Sequence, residues 1–296
     1  MRRIFRTGLL LTLVLPTTVL AQDKFFDSAG VQIRYVEKGS GEPVVLVHGY
    51  TSYIERSWVE NGVMDNLAKD YRVIALDLRA HGKSGKPHDS AQYGAQVSQD
   101  VVRLLDYLRI PRAHMIGYSY GGVTTAKLLT MNPERFITAI LGGSSGRRNW
   151  TAENARDADV GATELEHGLP YRSLILQTWP TDEPPPSEEV LRERSREYVG
   201  RNDPLAHAAM LRARAGEAVT DVQLAAVRVP TLAIVGSADG ALAGVKTLKA
   251  AWPALSVVVI DRASHTGDRG AARRPEFVQA VRAFLVAHRL PATNSR

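Results

Sequence analysis

The chain has 296 residues, of which 44% are hydrophobic and 23% charged, so it can bury a substantial core as one globular domain, and disorder as its main state is excluded. The net charge is +6, but the first 21 residues contribute three arginines and no acidic residue, and the mildly basic remainder excludes an extended nucleic-acid-binding face. Cysteine is absent, which excludes disulfides, thiolate nucleophiles and thiolate metal sites.

The first segment in chain order has the pattern of a secretory signal peptide. Arg2, Arg3 and Arg6 precede an apolar run over residues 8–15, and small residues end the segment at Ala21. The run is too short to span a bilayer as a permanent helix. We therefore expect residues 1–21 to be removed, leaving no stable membrane span, and the protein to be exported, periplasmic or extracellular. The Arg2-Arg3 pair leaves the twin-arginine route open beside the general secretory route.

Short apolar runs rich in β-branched residues follow and alternate with helical patterns. Most runs are continuous, which is typical of strands covered on both faces. Val97, Val101, Leu104 and Leu108 repeat at spacings of three and four residues, which indicates a helix. This alternation predicts an α/β fold with a mostly parallel sheet and helices on both faces. The predicted strands cover residues 31–36, 44–47, 73–78, 114–116, 137–141, 231–235 and 256–260.

One long segment interrupts the alternation. Residues 146–228 contain no strong strand pattern, and their charged helical stretches are broken by a proline-rich bend before Ser187, where a new helix is expected to begin. We expect this segment to be a helical cap or lid, with residues 22–145 and 229–296 forming the core. Ligands of open parallel sheets bind at the carboxyl edge, so the cap is expected to cover the site.

The segment "GYSYG" places Ser119 between Gly117 and Gly121, at the end of one predicted strand and the start of a helix. A tight strand-to-helix turn of this kind holds a serine hydroxyl above the sheet, and side chains at the two glycines would collide with neighbouring backbone. The motif predicts that Ser119 is a nucleophile.

A serine nucleophile needs a base and a carboxylate that orients the base. Asp239 and His265 each follow a predicted strand, in the chain order expected after such a serine. Asp261, at the end of its own strand, is interpreted as a turn residue. The loop "LGGSSG" after the strand that follows the Ser119 helix offers no carboxylate. The sequence therefore predicts a Ser119, Asp239 and His265 triad.

Acyl transfer also requires donors for an oxyanion. The N–H of Tyr120 follows Ser119 at the start of the helix, and the N–H of Tyr50 lies in the loop "HGYTS" after an earlier strand, so both are predicted donors. His48 in that loop is interpreted as structural. A substrate pocket partly lined by aromatic rings is predicted from Tyr53, Tyr118, Trp150 and Trp179.

Together these residues resemble the α/β-hydrolase superfamily over nearly all of the chain after residue 21. The resemblance rests on "HGYTSYIERSW", "DLRAHGKSGKP", "GYSYGG", "VPTLAIVGSADG" and the Ser264-His265 pair, in that order. It implies an eight-stranded sheet and chemistry without a metal or cofactor. Ala80 departs from the pattern, because relatives usually have glycine there. Serine at position 119, where epoxide hydrolases and haloalkane dehalogenases have aspartate, favours the esterase- and haloperoxidase-like branch.

The sequence thus predicts an exported serine hydrolase that cleaves small-molecule carboxylic esters through an acyl-enzyme. Hydrolysis of lactones, carbon-carbon bonds or peptide and amide bonds, and cofactor-free perhydrolysis, stay open as alternatives for the same triad. A ligand-binding receptor with vestigial activity is the alternative from another class. Multiple turnovers of a chromogenic ester would favour the enzyme, and a single turnover would favour the receptor.

Overall fold

The structure is a computed structural model that describes residues 22–290. The predicted signal peptide, residues 1–21, lies outside the described residues. No helix between residues 22 and 290 is long and apolar enough to cross a membrane.

An eight-stranded sheet forms the centre of the molecule, in the order β1-β2-β4-β3-β5-β6-β7-β8. Strand β2 is antiparallel to both of its neighbours, and the pairs from β4 to β8 are all parallel. The predicted fold class is confirmed. The strands are β1 Lys24–Ser28, β2 Val31–Lys38, β3 Glu42–Val47, β4 Tyr71–Leu76, β5 Ala113–Tyr118, β6 Phe136–Gly142, β7 Thr231–Gly236 and β8 Ser256–Ile260.

Ten α-helices accompany the sheet within the described residues. Short 3-10 turns occur at Ser90–Gln92, Pro133–Arg135, Arg214–Glu217 and Ala271–Arg273, and a π-helical turn at Glu55–Val59. The helices are α1 Val63–Leu67, α2 Ala95–Tyr107, α3 Tyr120–Met131, α4 Ala152–His167, α5 Arg172–Gln177, α6 Glu188–Val199, α7 Pro204–Arg212, α8 Asp221–Ala225, α9 Ala241–Ala251 and α10 Pro275–Ala287.

Both faces of the sheet are covered, which explains the continuous apolar runs. Alternate residues of β3 point to opposite faces: Val45 and Val47 join a core that includes α2, α3 and α9, whereas Val44 and Leu46 join a core that includes α1 and α10. All four side chains are fully buried. Strand β1 has no such run, because only Phe26 and Ser28 of its five residues are buried, and the sequence did not predict it.

Helices α4 to α8 all lie between β6 and β7, and we call them the inserted helices. Helices α4 to α7 share a small apolar cluster of their own, against which Tyr50 from the loop after β3 packs, whereas Leu224 of α8 joins the main core. Ser187 caps α6 by accepting a hydrogen bond of 3.3 Å from the N–H of Val190. The inserted helices fall within residues 146–228, and the limits of this segment as a separate cap stay a prediction.

Candidate active site

Ser119 lies alone between β5 and α3 in a backbone conformation that L-residues rarely adopt. Its φ of 56° and ψ of −113° hold the residue in a sharp turn at the carboxyl end of β5. The N–H of Ser119 donates a hydrogen bond of 2.7 Å to the carbonyl of Gly142 at the end of the neighbouring strand. This hydrogen bond ties the turn to the end of β6, and α3 begins at the next residue.

The two glycines of the motif leave room that a side chain would fill. A Cβ at Gly117 would collide with the carbonyl group of Gly121, and a Cβ at Gly121 would collide with the carbonyl of Val47. Both obstacles are backbone, so neither can move aside cheaply. The serine turn can pass this close to β3 only with glycine at both positions.

The structure brings Ser119, His265 and Asp239 together from three separate loops. The Nε2 atom of His265 lies 2.8 Å from the Oγ of Ser119, and its Nδ1 atom lies 2.9 Å and 3.0 Å from the two carboxylate oxygens of Asp239. Asp239 follows β7 and is held by the N–H of Ala241, which donates to its Oδ1 at 2.8 Å. The imidazole and the carboxylate are both buried.

No other carboxylate considered from the sequence takes the position of Asp239. Asp261 is exposed, and its carboxylate accepts a hydrogen bond of 3.4 Å from Ser237. The loop after β6 passes directly against the pair, because a Cβ at Gly143 would lie 3.2 Å from His265 Cε1 and 3.3 Å from Asp239 Oδ2. An acidic side chain at this point of the loop would not fit between them.

This arrangement can move a proton from the serine hydroxyl to the imidazole. A hydrogen bond from Nδ1–H to Asp239 leaves Nε2 as the acceptor that faces Ser119, and the carboxylate stabilises the imidazolium that forms. Such a serine can attack a carbonyl carbon and form an acyl-enzyme. Within residues 22–290, no group of three His, Asp or Glu side chains could hold a metal ion.

The loop after β3 and the start of α3 each provide a backbone donor close to Ser119. A Cβ at Gly49 would lie 3.1 Å from the Cβ of Ser119, so this loop runs along the serine. Within the described part of the chain, neither the N–H of Tyr50 nor that of Tyr120 donates a hydrogen bond. Both donors are therefore free for a ligand, and the N–H of Tyr120 lies at the first residue of α3, where such groups point outward.

His48 and Asp77 hold the same loop in place. The Nε2 atom of His48 accepts a hydrogen bond of 3.0 Å from the N–H of Leu78, so its Nδ1–H donates to the carbonyl of Gly49 at 2.8 Å. Burial lowers the pKa of His48, which favours this neutral form. Asp77 accepts from the N–H of Ile54 at 2.9 Å. His48 thus braces the backbone rather than contacting Ser119.

Two cavities meet at Ser119 and His265. One of about 210 Å³ extends past Tyr118 and Asn61, and the other of about 400 Å³ extends past Gly143 and Arg214. Leu174 and Thr178, from α5 and the residue after it, line both cavities, so the inserted helices form part of the wall of each. A bound substrate therefore has room on two sides of the serine.

The predicted aromatic residues lie at different distances from this centre. Tyr118 lines the smaller cavity, and Trp150 lines a third cavity, of about 330 Å³, that shares Tyr50, Arg147 and Arg214 with the larger one. Trp179 lines a fourth cavity, of about 250 Å³, that shares Thr178 and Tyr198 with the smaller one, and its ring N–H donates to the carbonyl of Pro184 at 2.9 Å. Tyr53 lines neither cavity that contains Ser119.

Several lining residues carry no sequence signal of their own. Arg147 and Arg214 line the larger cavity, and Leu174 and Gln177 come from α5. Arg147 stands shortly after β6, at the same sheet edge as Ser119, which could have suggested it. Arg214 belongs to a short turn among the inserted helices, and only the folded structure brings it to the cavity.

Comparison with known proteins agrees with the fold. The family model described as alpha/beta hydrolase fold matches residues 42–267, more than half of the chain, and the protein belongs to this family. A thermophilic esterase from Thermogutta terrifontis has a similar structure, with a TM-score of 0.73 and 23% identity over 91% of this chain and 100% of that one.

Two curated relatives are hydrolases. The chain is 30% identical over 178 residues to 3-oxoadipate enol-lactonase 1 of Acinetobacter baylyi, covering 58% of this chain and 63% of that protein. It is 32% identical over 130 residues to 2-hydroxy-6-oxo-6-(2'-aminophenyl)hexa-2,4-dienoic acid hydrolase of Metapseudomonas resinovorans, covering 42% and 43%. The chain thus spans less than two thirds of the length of each of these relatives.

Proposed function

We propose that the protein hydrolyses carboxylic esters, with Ser119 as nucleophile, His265 as general base and acid, and Asp239 as the group that orients His265. The observation that carries the proposal is the 2.8 Å contact between Ser119 Oγ and His265 Nε2, on an imidazole whose other nitrogen faces a buried carboxylate. Several relatives are named as hydrolases, which supports hydrolysis, and the ester is the substrate class that this serine chemistry suits.

In the proposed mechanism, Ser119 attacks the ester carbonyl while its proton passes to His265 Nε2. The N–H groups of Tyr50 and Tyr120 stabilise the oxyanion, and His265 then returns the proton to the leaving alcohol. Water enters, His265 takes one of its protons, and the resulting attack on the acyl-enzyme releases the acid and restores Ser119. The balance is one ester and one water for one alcohol and one acid.

Lactone hydrolysis is a second candidate for the same site. The similarity to an enol-lactonase favours it, and a lactone is an ester whose alcohol and acid belong to one molecule. Each step of the mechanism applies without change, except that the leaving alcohol stays attached to the acyl group. Parallel assays with lactones and open-chain esters of equal size distinguish the two candidates.

The direct test combines turnover with covalent labelling. The purified protein is assayed with p-nitrophenyl esters of graded acyl length and treated with a fluorophosphonate probe, and we expect many turnovers and a single labelled residue, Ser119. Ser119→Ala should lower kcat by about 10⁶-fold. Ser144→Ala is the matched control, because Ser144 lines the larger cavity but lies outside the proposed triad. Full esterase activity in Ser119→Ala would overturn the proposal.

We also propose that the protein is exported, on the basis of the pattern in residues 1–21. The full-length chain, expressed in a bacterial host and recovered from the periplasmic fraction, should have Gln22 as its first residue. Recovery of the chain in the cytoplasm with Met1 still present would contradict export while leaving the catalytic proposal intact.

A further inference from the structure

Arg214 lies in the wall of the larger cavity and forms no ion pair with an acidic side chain of residues 22–290. It is partly buried and lines both the 400 Å³ cavity that contains Ser119 and the 330 Å³ cavity beside it. Within residues 22–290 its guanidinium makes no hydrogen bond, lies in no ion pair, and has an Nε atom that is buried without an acceptor. The ring of Tyr50 lies 5.5 Å from the guanidinium carbon.

The one neighbouring carboxylate is already engaged. Glu217 accepts a hydrogen bond of 3.0 Å from Arg147 through one oxygen and a hydrogen bond from the Tyr120 hydroxyl through the other. Arg147 therefore forms an ion pair with Glu217, whereas Arg214 forms none with the acidic side chains that the structure describes. Two guanidinium groups and one carboxylate leave this wall with a net positive charge.

The other acidic groups along the two cavities do not neutralise Arg214. Asp239 is bound to His265, and Glu164 accepts two hydrogen bonds from Ser173. Asp157 is exposed on α4. An arginine stays charged in proteins, and a partly buried charge without a partner costs stability. A charged residue that lowers the stability of the empty protein is expected to contribute to the binding free energy of a ligand.

We infer that the substrate carries a second, ionised carboxylate that binds Arg214 while its ester or lactone carbonyl lies at Ser119. The inference rests on the proposed function and narrows it to esters with one free acid group. A guanidinium binds a carboxylate through two parallel hydrogen bonds, which fixes the orientation as well as the charge of the ligand. The cavity of about 400 Å³ has Ser119 and Arg214 in its wall, so one small molecule can reach both.

The test compares charged and neutral esters of the same shape. For a charge on the acyl part, the pair is mono-p-nitrophenyl glutarate and its methyl ester, and for a charge on the alcohol part it is 4-acetoxybenzoate and its methyl ester. In at least one pair, kcat/KM should be higher for the anion. Arg214→Met should lower this preference by about 10- to 100-fold and leave the neutral ester within about threefold.

Arg192→Met is the matched control. It removes the same charge from an exposed position on α6 and should leave the preference unchanged. The melting temperature of the unliganded Arg214→Met variant should equal or exceed that of the unmodified protein, whereas a purely structural arginine would lower it. An equal kcat/KM for both members of each pair, or a preference that survives Arg214→Met, overturns the inference.

The outcome can be separated from that of the proposed function. If neutral esters are hydrolysed through Ser119 without any anion preference, only the inference of this section fails. If no ester is hydrolysed and Ser119 is not labelled, the proposed function fails, and titration of Ser119→Ala with glutarate by calorimetry still decides the anion site. If glutarate binds Ser119→Ala with measurable heat and this heat disappears in the Ser119→Ala, Arg214→Met double variant, the anion site is supported. If Ser119→Ala gives no heat of binding, the anion site is overturned.

Discussion

The hydroxyl of Tyr118 donates a hydrogen bond of 2.7 Å to the carbonyl oxygen of His265. The residue before the serine is thereby bound to the backbone of the proposed base, and the end of β5 is joined to a loop 147 residues further along the chain. This contact is buried, so the carbonyl has no water to replace a lost donor.

Tyr118→Phe should therefore disturb catalysis through the position of His265. We expect a loss of stability of about 1 kcal/mol and a fall in kcat of about tenfold, because small displacements of a catalytic group are costly. The measurements are urea unfolding and esterase kinetics. Tyr107→Phe, an exposed tyrosine at the end of α2, is the control and should keep full kcat. Normal kcat in Tyr118→Phe would show that His265 is positioned without it.

Asp239→Asn should remove most activity while leaving the fold intact. The amide can no longer hold the imidazole in the tautomer that accepts from Ser119, and the expected loss in kcat is about 10⁴-fold. Asp261→Asn is a matched control, since Asp261 lies only four residues before His265 in sequence but is exposed and outside the pair. Steady-state kinetics at pH 7 check both variants. If Asp261→Asn were the more damaging change, the assignment of the acid would be wrong.

Gly143→Ala should reduce activity by crowding the Asp239 and His265 pair. The added Cβ would lie 3.2 Å from His265 Cε1, in a residue whose φ is +55°. We expect kcat to fall at least about tenfold, because the imidazole must shift. Gly30→Ala is the control that has the unfavourable backbone angle without a steric contact. The φ of Gly30 is +84°, but nothing lies within 4 Å of the new Cβ.

Both alanine variants should lose about 1 kcal/mol of stability through the unfavourable φ. Only Gly143→Ala should lose activity. Unfolding by urea and esterase assays on the same samples separate the two effects, and equal activity in the two variants would rule out crowding at Gly143.

The stability of the protein should decrease in acid partly because of His207 on α7. Burial lowers the pKa of His207 to about 3, against an unfolded value of about 6.5. Between these values the unfolded chain binds the additional proton, so the contribution of His207 is complete above about pH 6.5 and is lost as the pH falls toward 3. The ring packs 4.5 Å from His81, also neutral through burial, which adds to the cost of charging it.

His207→Gln should flatten the pH dependence of the unfolding free energy between pH 6.5 and 4. Urea unfolding at several pH values measures the slope for this variant and for His167→Gln, an exposed histidine on α4 that should leave the slope unchanged. A variant slope equal to that of the unmodified protein would mean that other groups govern the acid transition.

Much of the fold could be predicted because it depends on local patterns. Buried parallel strands such as β3 and β7 are continuous apolar runs, and a glycine-flanked serine at a strand end marks a sharp turn. The proximity of Ser119, Asp239 and His265 follows from the same logic, since the carboxyl ends of neighbouring parallel strands meet at one edge. Their catalytic roles stay predictions.

The remaining features depend on tertiary structure that no local pattern encodes. Strand β1 buries only two of its five residues, so its pairing with β2 leaves little trace in the sequence. Trp179 packs beside Pro184 and Arg194 and lines a cavity next to the smaller one at Ser119, so its place at the substrate pocket stays a prediction. Arg214 reaches the site through the fold of the inserted helices, and arginines without partners look in sequence like any other surface charge.

Tyr50 has two separate roles within one residue. Its backbone follows Gly49, which runs along Ser119, while its ring lies 4.6 Å from the ring of His207 on α7 and packs against the cluster of the inserted helices. One side chain thus couples the loop beside the proposed nucleophile to the inserted helices. Under the proposed mechanism, a substitution that repacks α7 would also change the alignment of a proposed oxyanion donor.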